Sequence, residues 1–145
     1  MRLSISEIIN KAAAEKKKTD KIEVLRKNDS SALRTILRLM YDDRVKFLVP
    51  DVAPPWKKNE YEDEAKPMLF SEARRLKIFV QGGGYETLNQ IKRETLFIQL
   101  LQDIDNDDAD LLAHNMISQT PVKGLTRKTI EESYPDLFTS PLKIG

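Results

Sequence analysis

The stretch from Ser4 to Met40, SISEIINKAAAEKKKTDKIEVLRKNDSSALRTILRLM, decides the fold. Ser4 and Glu7 stand at the spacing of a capping box. Ile5, Ile8, Ile9 and Ala12 then recur at helical intervals and predict a first helix reaching about Lys16. Thr19 is read as the cap of a second helix carrying Ile22, Val24 and Leu25. Ser30 or Ser31 is read as the cap of a third, carrying Leu33, Ile36, Leu37 and Met40, with Asn28 to Ser31 forming the turn between them.

The same periodicity extends downstream. After Tyr41 a short apolar piece, Val45 to Val49, gives way to a long Pro/Trp loop at about 49–67 holding Pro54, Pro55, Trp56, Lys57, Lys58 and Pro67. Helical spacing resumes near Met68 with Leu69, Phe70, Ala73, Leu76, Ile78 and Phe79, and stops at Gly82 to Gly84. Leu88 and Ile91 open the next helix, whose run ETLFIQLLQDI is dense enough to predict a core helix buried on most sides. Asn106 is read as the cap of a helix with Ala109, Leu111, Leu112, Met116 and Ile117. A turn with Pro121 and Gly124 leads to a last helix from about Thr126, and the tail 139–145 is expected to be loose. No stretch alternates apolar and polar residues between turn signals. The expected fold is all-α, a compact multi-helix bundle of about six to eight helices in a single domain, 1–138.

A chain of 145 residues with 40% hydrophobic content can bury a core of its own. It has no cysteine, which excludes disulfides, thiol nucleophiles and thiolate metal sites, and its one histidine, His114, cannot build a histidine metal site alone. No apolar run of the roughly 18 residues needed to span a bilayer occurs, and Met1 to Asn10 lacks a signal-type apolar region. The expectation is a cytoplasmic protein with no membrane association, no cofactor and no small-molecule substrate. The net charge is only +1, but it is polarised. Residues 1–50 hold 12 basic against 7 acidic side chains, residues 51–100 hold 8 against 8, and residues 101–145 hold 4 against 8.

Few residues invite a chemical role. The triple glycine lacks the Lys and Ser or Thr of a phosphate loop and reads as a helix end. Asp103, Asp105, Asp107, Asp108 and Asp110 lack the glycine and terminal Glu of a calcium loop and read as helix capping on an acidic turn. No acid–base pair is singled out, and His114 reads as a surface or core-edge residue; a non-catalytic protein is expected. Trp56, beside Pro55 and Lys57, has two readings: a stacking or partner-binding residue, or a pin holding its loop to the core. Two basic stretches remain. Lys16, Lys17, Lys18 and Lys21 fall between the first two helices, and Lys123, Gly124, Thr126, Arg127 and Lys128 surround a glycine turn at the start of the last one. A glycine turn feeding a helix start among basic residues suits a DNA backbone; the alternative is an ordinary turn with solvated lysines.

The order of these landmarks resembles the amino-terminal helical DNA-binding domain of the ATP-dependent DNA ligase of T-even-type bacteriophages. The opening from Ser4 through SALRTILRLMYDDRVKFLVP is similar to that domain's start, and DADLLAHNMISQTPVKGLTRKTIEESYPDLF to its last two helices, with a glycine turn and an aromatic-Pro-x-Leu ending. The chain is also similar to small proteins of T-even-like phages and cyanophages. The resemblance implies a module contacting duplex or nicked DNA through phosphates, with Lys123, Gly124, Thr126, Arg127 and Lys128 at the DNA-facing turn. It further implies an accessory in phage replication, recombination, repair or transcription within an infected bacterium. Two departures stand out: His114 and Asn115 replace a basic and acidic pair, and Pro121 enters the turn. No Lys-x-Asp-Gly nucleophile motif of an adenylating domain occurs. The rival expectation is a helical protein-interaction module engaging a polymerase, clamp or host factor through the Pro55–Trp56 loop and the acidic last third of the chain.

Overall fold

A computed structural model describes residues 3–57 and 69–141, so the second half of the Pro/Trp loop, with Lys58, Pro67 and Met68, and residues 142–145 of the tail lie outside the described residues. α1 (Ile5–Ala14) starts at the expected capping box: Ser4 Oγ accepts from the Glu7 amide and the Glu7 carboxylate accepts from the Ser4 amide. Ile5, Ile8, Ile9 and Ala12 form its buried face. α2 (Lys18–Lys27) begins earlier than its sequence suggests. Lys17 occupies the cap position without a side-chain bond, and Thr19 lies inside the first turn. In α3 (Ser31–Tyr41) Ser30 is the cap, its Oγ accepting from the Leu33 amide at 3.0 Å.

α3 is the best-buried helix: Leu33, Ile36, Leu37, Leu39, Met40 and Tyr41 are all enclosed. The run expected to play that part, in α5 (Gln90–Asp103), buries only Arg93, Phe97, Leu100 and Leu101, while Ile91 is 76% exposed. Its apolar density overstated its burial because the helix covers the bundle from one side. Asn89 caps it, two residues into the expected helix, and Leu88 stays outside.

Between α3 and α5 the chain makes α4 (Leu69–Glu72), which tightens into a 3₁₀ segment, Ala73–Phe79. The tightening has a tertiary cause. Phe79 and Val80 must pair with the segment after α3, where the Leu48 amide donates to the Phe79 carbonyl at 2.7 Å and Gln81 to Lys46 at 2.8 Å around an isolated Phe47–Val80 bridge. The glycine turn then folds back so closely that a Cβ on Gly83 would lie 1.8 Å from the Lys77 carbonyl oxygen. No strand forms among the described residues, and the fold is all-α.

α6 (Asn106–Leu111) is capped by Asp105 rather than Asn106, and it widens into a π turn, Leu112–Met116, before α7 (Arg127–Ser133). Two buried aspartates tie remote segments together. Asp108 accepts from the Ser6 amide at 2.9 Å and the Leu69 amide at 3.0 Å, joining the starts of α1 and α4 to α6. Asp42, at the end of α3, is gripped by Arg44 at 2.7 Å and Arg38 at 3.4 Å. The same two arginines donate to the Ser140 carbonyl, which fastens the described start of the tail.

Candidate nucleic-acid interface

The α1–α2 turn and the glycine turn before α7, about a hundred residues apart in sequence, meet at one joint. Gly124 adopts φ +94°, and a Cβ there would stand 2.4 Å from the Ala13 carbonyl oxygen at the end of α1. Only glycine allows that approach. Lys21 clamps the joint, its Nζ donating to the Ala13 carbonyl at 3.0 Å and to the Gly124 carbonyl. Below it α2 packs along α7. Lys18 pairs with Glu132, Arg26 donates to the Glu132 and Ser133 carbonyls at 2.9 and 3.2 Å, and the Tyr134 hydroxyl donates to the Leu25 carbonyl. Arg26 thereby satisfies the open carbonyl end of α7.

This packing divides the basic residues read from the sequence. Lys21 and Lys18 are occupied in holding the joint. Arg127 is largely occupied too: it lies 4.6 Å over the Phe138 ring, bonds Glu131 at 3.0 Å, approaches Asp43 at 3.7 Å and donates to the Tyr41 carbonyl at 3.4 Å. Thr126, though exposed, caps α7, its Oγ1 accepting from the Thr129 amide, so the helix start has already satisfied one of its open donors. Lys16, Lys17, Lys123 and Lys128 remain exposed, with no acidic partner among the described residues. Lys123 adjoins Gly124 at the joint. Lys128 sits one helical turn from Glu132, the residue that reaches Lys18, so it borders the same seam.

Pro55, Trp56 and Lys57 stand apart from this edge. Trp56 is half-buried, with its ring centroid 6.0 Å from that of His114, while Pro55 and Lys57 are exposed. Of its two readings, the geometry matches a pin for the loop. His114 lies on the π turn 3.7 Å from Asp110, and Asn115 closes the following turn by donating to the Thr120 carbonyl at 3.0 Å.

Beside the seam lies a groove of about 480 Å³ between the end of α3 and the segment 119–127. Sequence reading missed the two residues that shape it. The Tyr41 hydroxyl donates to the Leu125 carbonyl at 2.8 Å and accepts from the Val122 amide at 3.0 Å. Burial pushes that phenol above its ordinary range, against the opposing Val122 hydrogen bond. Gln119 takes the left-handed conformation at φ +52° and donates to the Leu39 and Asp42 carbonyls at 3.1 and 2.7 Å, closing the end of α3. Neither residue carries a local signal, since their partners lie about 80 residues away.

Neither a curated protein nor a solved structure matches the chain. A family model does match, over residues 8–119, which takes in the lysines of the α1–α2 turn and stops short of Gly124. By that match the chain belongs to DUF6433, a family of unknown function.

Proposed function

We propose that this protein is a non-catalytic DNA-binding accessory protein whose α1–α2 and α7 edge holds the phosphate backbone of duplex or nicked DNA. One observation carries the reading: four uncommitted ammonium groups, Lys16, Lys17, Lys123 and Lys128, border one close-packed joint assembled from opposite ends of the sequence. The net charge of +1 makes the attraction local to that edge. Binding is weak and nearly independent of sequence, because ammonium groups on flexible stems meet phosphates as point charges. The likeness to the helical domain of T-even-type phage ligase supports the same class of ligand and a setting in phage DNA metabolism.

Fluorescence anisotropy of labelled intact and nicked duplexes across a salt series tests this. Four phosphate contacts give a log–log salt slope of about −3.6, and each lysine replaced by serine flattens it by about 0.9. Absence of salt-sensitive binding at low ionic strength overturns the reading. The protein-interaction alternative would then rest on Val52, Tyr85 and Ile91, large hydrophobic side chains exposed at 75%, 39% and 76%, the first of them in the Pro55–Trp56 loop itself.

A further inference from the structure

We propose that the outer face of α5 is a self-association surface, on which the α5 of a second copy of this chain lies antiparallel. α5 buries Arg93, Phe97, Leu100 and Leu101 and packs on α6 and on the 3₁₀ segment. Its other side carries Ile91, Thr95, Ile98 and Gln102, at the four-three-four spacing with which one helix meets another. Ile91 and Thr95 are exposed, Ile98 and Gln102 are half-buried, and none of the four is charged. Burying the middle of this stripe costs little. The Thr95 hydroxyl already donates to the Ile91 carbonyl at 2.9 Å, so it enters an interface without losing a partner. Ile91, 76% exposed, withdraws apolar surface from water.

The charges on α5 decide which partner fits. Lys92 in the first turn and Asp103 in the last stand about three helical turns apart on the same flank of the stripe. Both are at the wrong end for the helix dipole: the first turn has no acid and the last no base, whereas the dipole favours the reverse. An antiparallel second α5 corrects both at once. Pairing about the middle of the stripe sets Thr95 against Ile98 of the other copy and brings Lys92 beside its Asp103, twice over by symmetry. A parallel copy would set Lys92 against Lys92 and Asp103 against Asp103. Lys92 is exposed and has no acidic partner among the described residues. Asp103 engages Arg75 through Oδ2 at 3.3 Å yet remains 56% exposed, so it can take a second cation. A second copy fits better than an unrelated apolar partner because α5 itself supplies both members of each pair. The face is one helix of 14 residues, about 21 Å long, which sets a weak, concentration-dependent dimer.

Sedimentation equilibrium of the full chain without nucleic acid, from about 10 µM to about 1 mM, is expected to show a reversible monomer–dimer equilibrium. Ile91→Lys is expected to raise the dissociation constant about tenfold or more while leaving the thermal melting of dilute protein unchanged, since the side chain is exposed. Lys92→Asp and Asp103→Lys each bring like charges together and are expected to weaken the dimer about fivefold. Mixed in equal amounts the two variants meet as opposites, and their heterodimer is expected to regain the affinity of the unaltered protein. Thermal melting checks that each variant folds. A chain that stays monomeric at about 1 mM overturns the proposal. So does a dimer that tolerates Ile91→Lys, which would place the contact on another face. Single charge variants that associate as before, or a mixture that fails to recover, overturn the antiparallel arrangement. As no nucleic acid is present, none of these outcomes bears on the lysine seam.

Discussion

Asp42 and Asp108 are both fully enclosed carboxylates, yet the protein treats them in opposite ways. Asp42 lies at shallow depth beneath two guanidiniums. Burial alone would push its carboxyl up, but the hydrogen bonds and charges of Arg44, with help from Arg38, outweigh burial and hold it below the ordinary value. Asp108 lies deeper and has no cation beside it among the described residues. Burial raises its carboxyl above the ordinary range in spite of the Ser6 and Leu69 hydrogen bonds. Arginines that reach a buried acid can hold its carboxyl below the ordinary value, whereas hydrogen bonds without a cation leave burial to raise it.

The sharpest way to break this contrast is to remove each acid in turn. Asp42→Ala removes the carboxylate that Arg38 and Arg44 share, leaving Arg44 only the attraction of Asp43, and frees the tail at Ser140; it is expected to cost about 3–5 kcal/mol in urea unfolding at neutral pH. Asp108→Ala orphans two buried amides and is expected to cost about 2–3 kcal/mol. A smaller cost for Asp42 than for Asp108 would reverse the ranking and show that the arginines relax into solvent.

Acidity sharpens the comparison because the two groups respond with opposite sign. Asp42 has a folded value below the ordinary 3.8, so its contribution is present above that pH and is lost as pH falls through the folded value. Asp108 has a folded value above 3.8, so the folded protein retains a proton that the unfolded chain has released. Its contribution is full below 3.8 and is lost as pH rises through the folded value. Urea midpoints between pH 3 and 7 should therefore show Asp108→Asn removing a stability loss on the less acidic side, and Asp42→Asn removing one on the more acidic side. Neither slope can exceed about 1.4 kcal/mol per pH unit.

The smallest effect separates the lysines. Lys16→Ser with Lys17→Ser should leave the melting free energy within about 0.5 kcal/mol, while Lys21→Met, which deprives two carbonyls of their donor, should cost about 1–2 kcal/mol. Equal effects would place Lys21 back among the uncommitted surface charges.

Much of the architecture was legible because its signals are local. The Ser4–Glu7 capping box, the Ser30 cap and the apolar spacing of α1 and α3 depend on residues within a few positions of each other. Thr19 misled because a good capping residue does not force a helix to begin where it stands. The density of ETLFIQLLQDI misled because hydrophobic content says nothing about how many neighbours surround a helix. Both basic stretches were legible, but their union at Gly124 was not, nor was the diversion of Lys21 and Arg127 into internal contacts. Asp42 and Asp108 look in sequence like the other acids of the chain. Their burial is decided by arginines and amides that only the folded chain brings close.

The clamp of Lys21 on Gly124 also bears on how the protein is made. Its partner lies 103 residues further along, Ser6 waits 102 residues for Asp108, and Arg26 waits 106 for Glu132. Helical bundles usually fold fast because their contacts are local. Here α1 and α2 leave the ribosome with their apolar faces formed and their closing pieces still unsynthesised. The first helices must remain soluble, or shielded by a chaperone, until the segment carrying Gly124 and α7 emerges, and folding should be slower than an all-helical composition suggests.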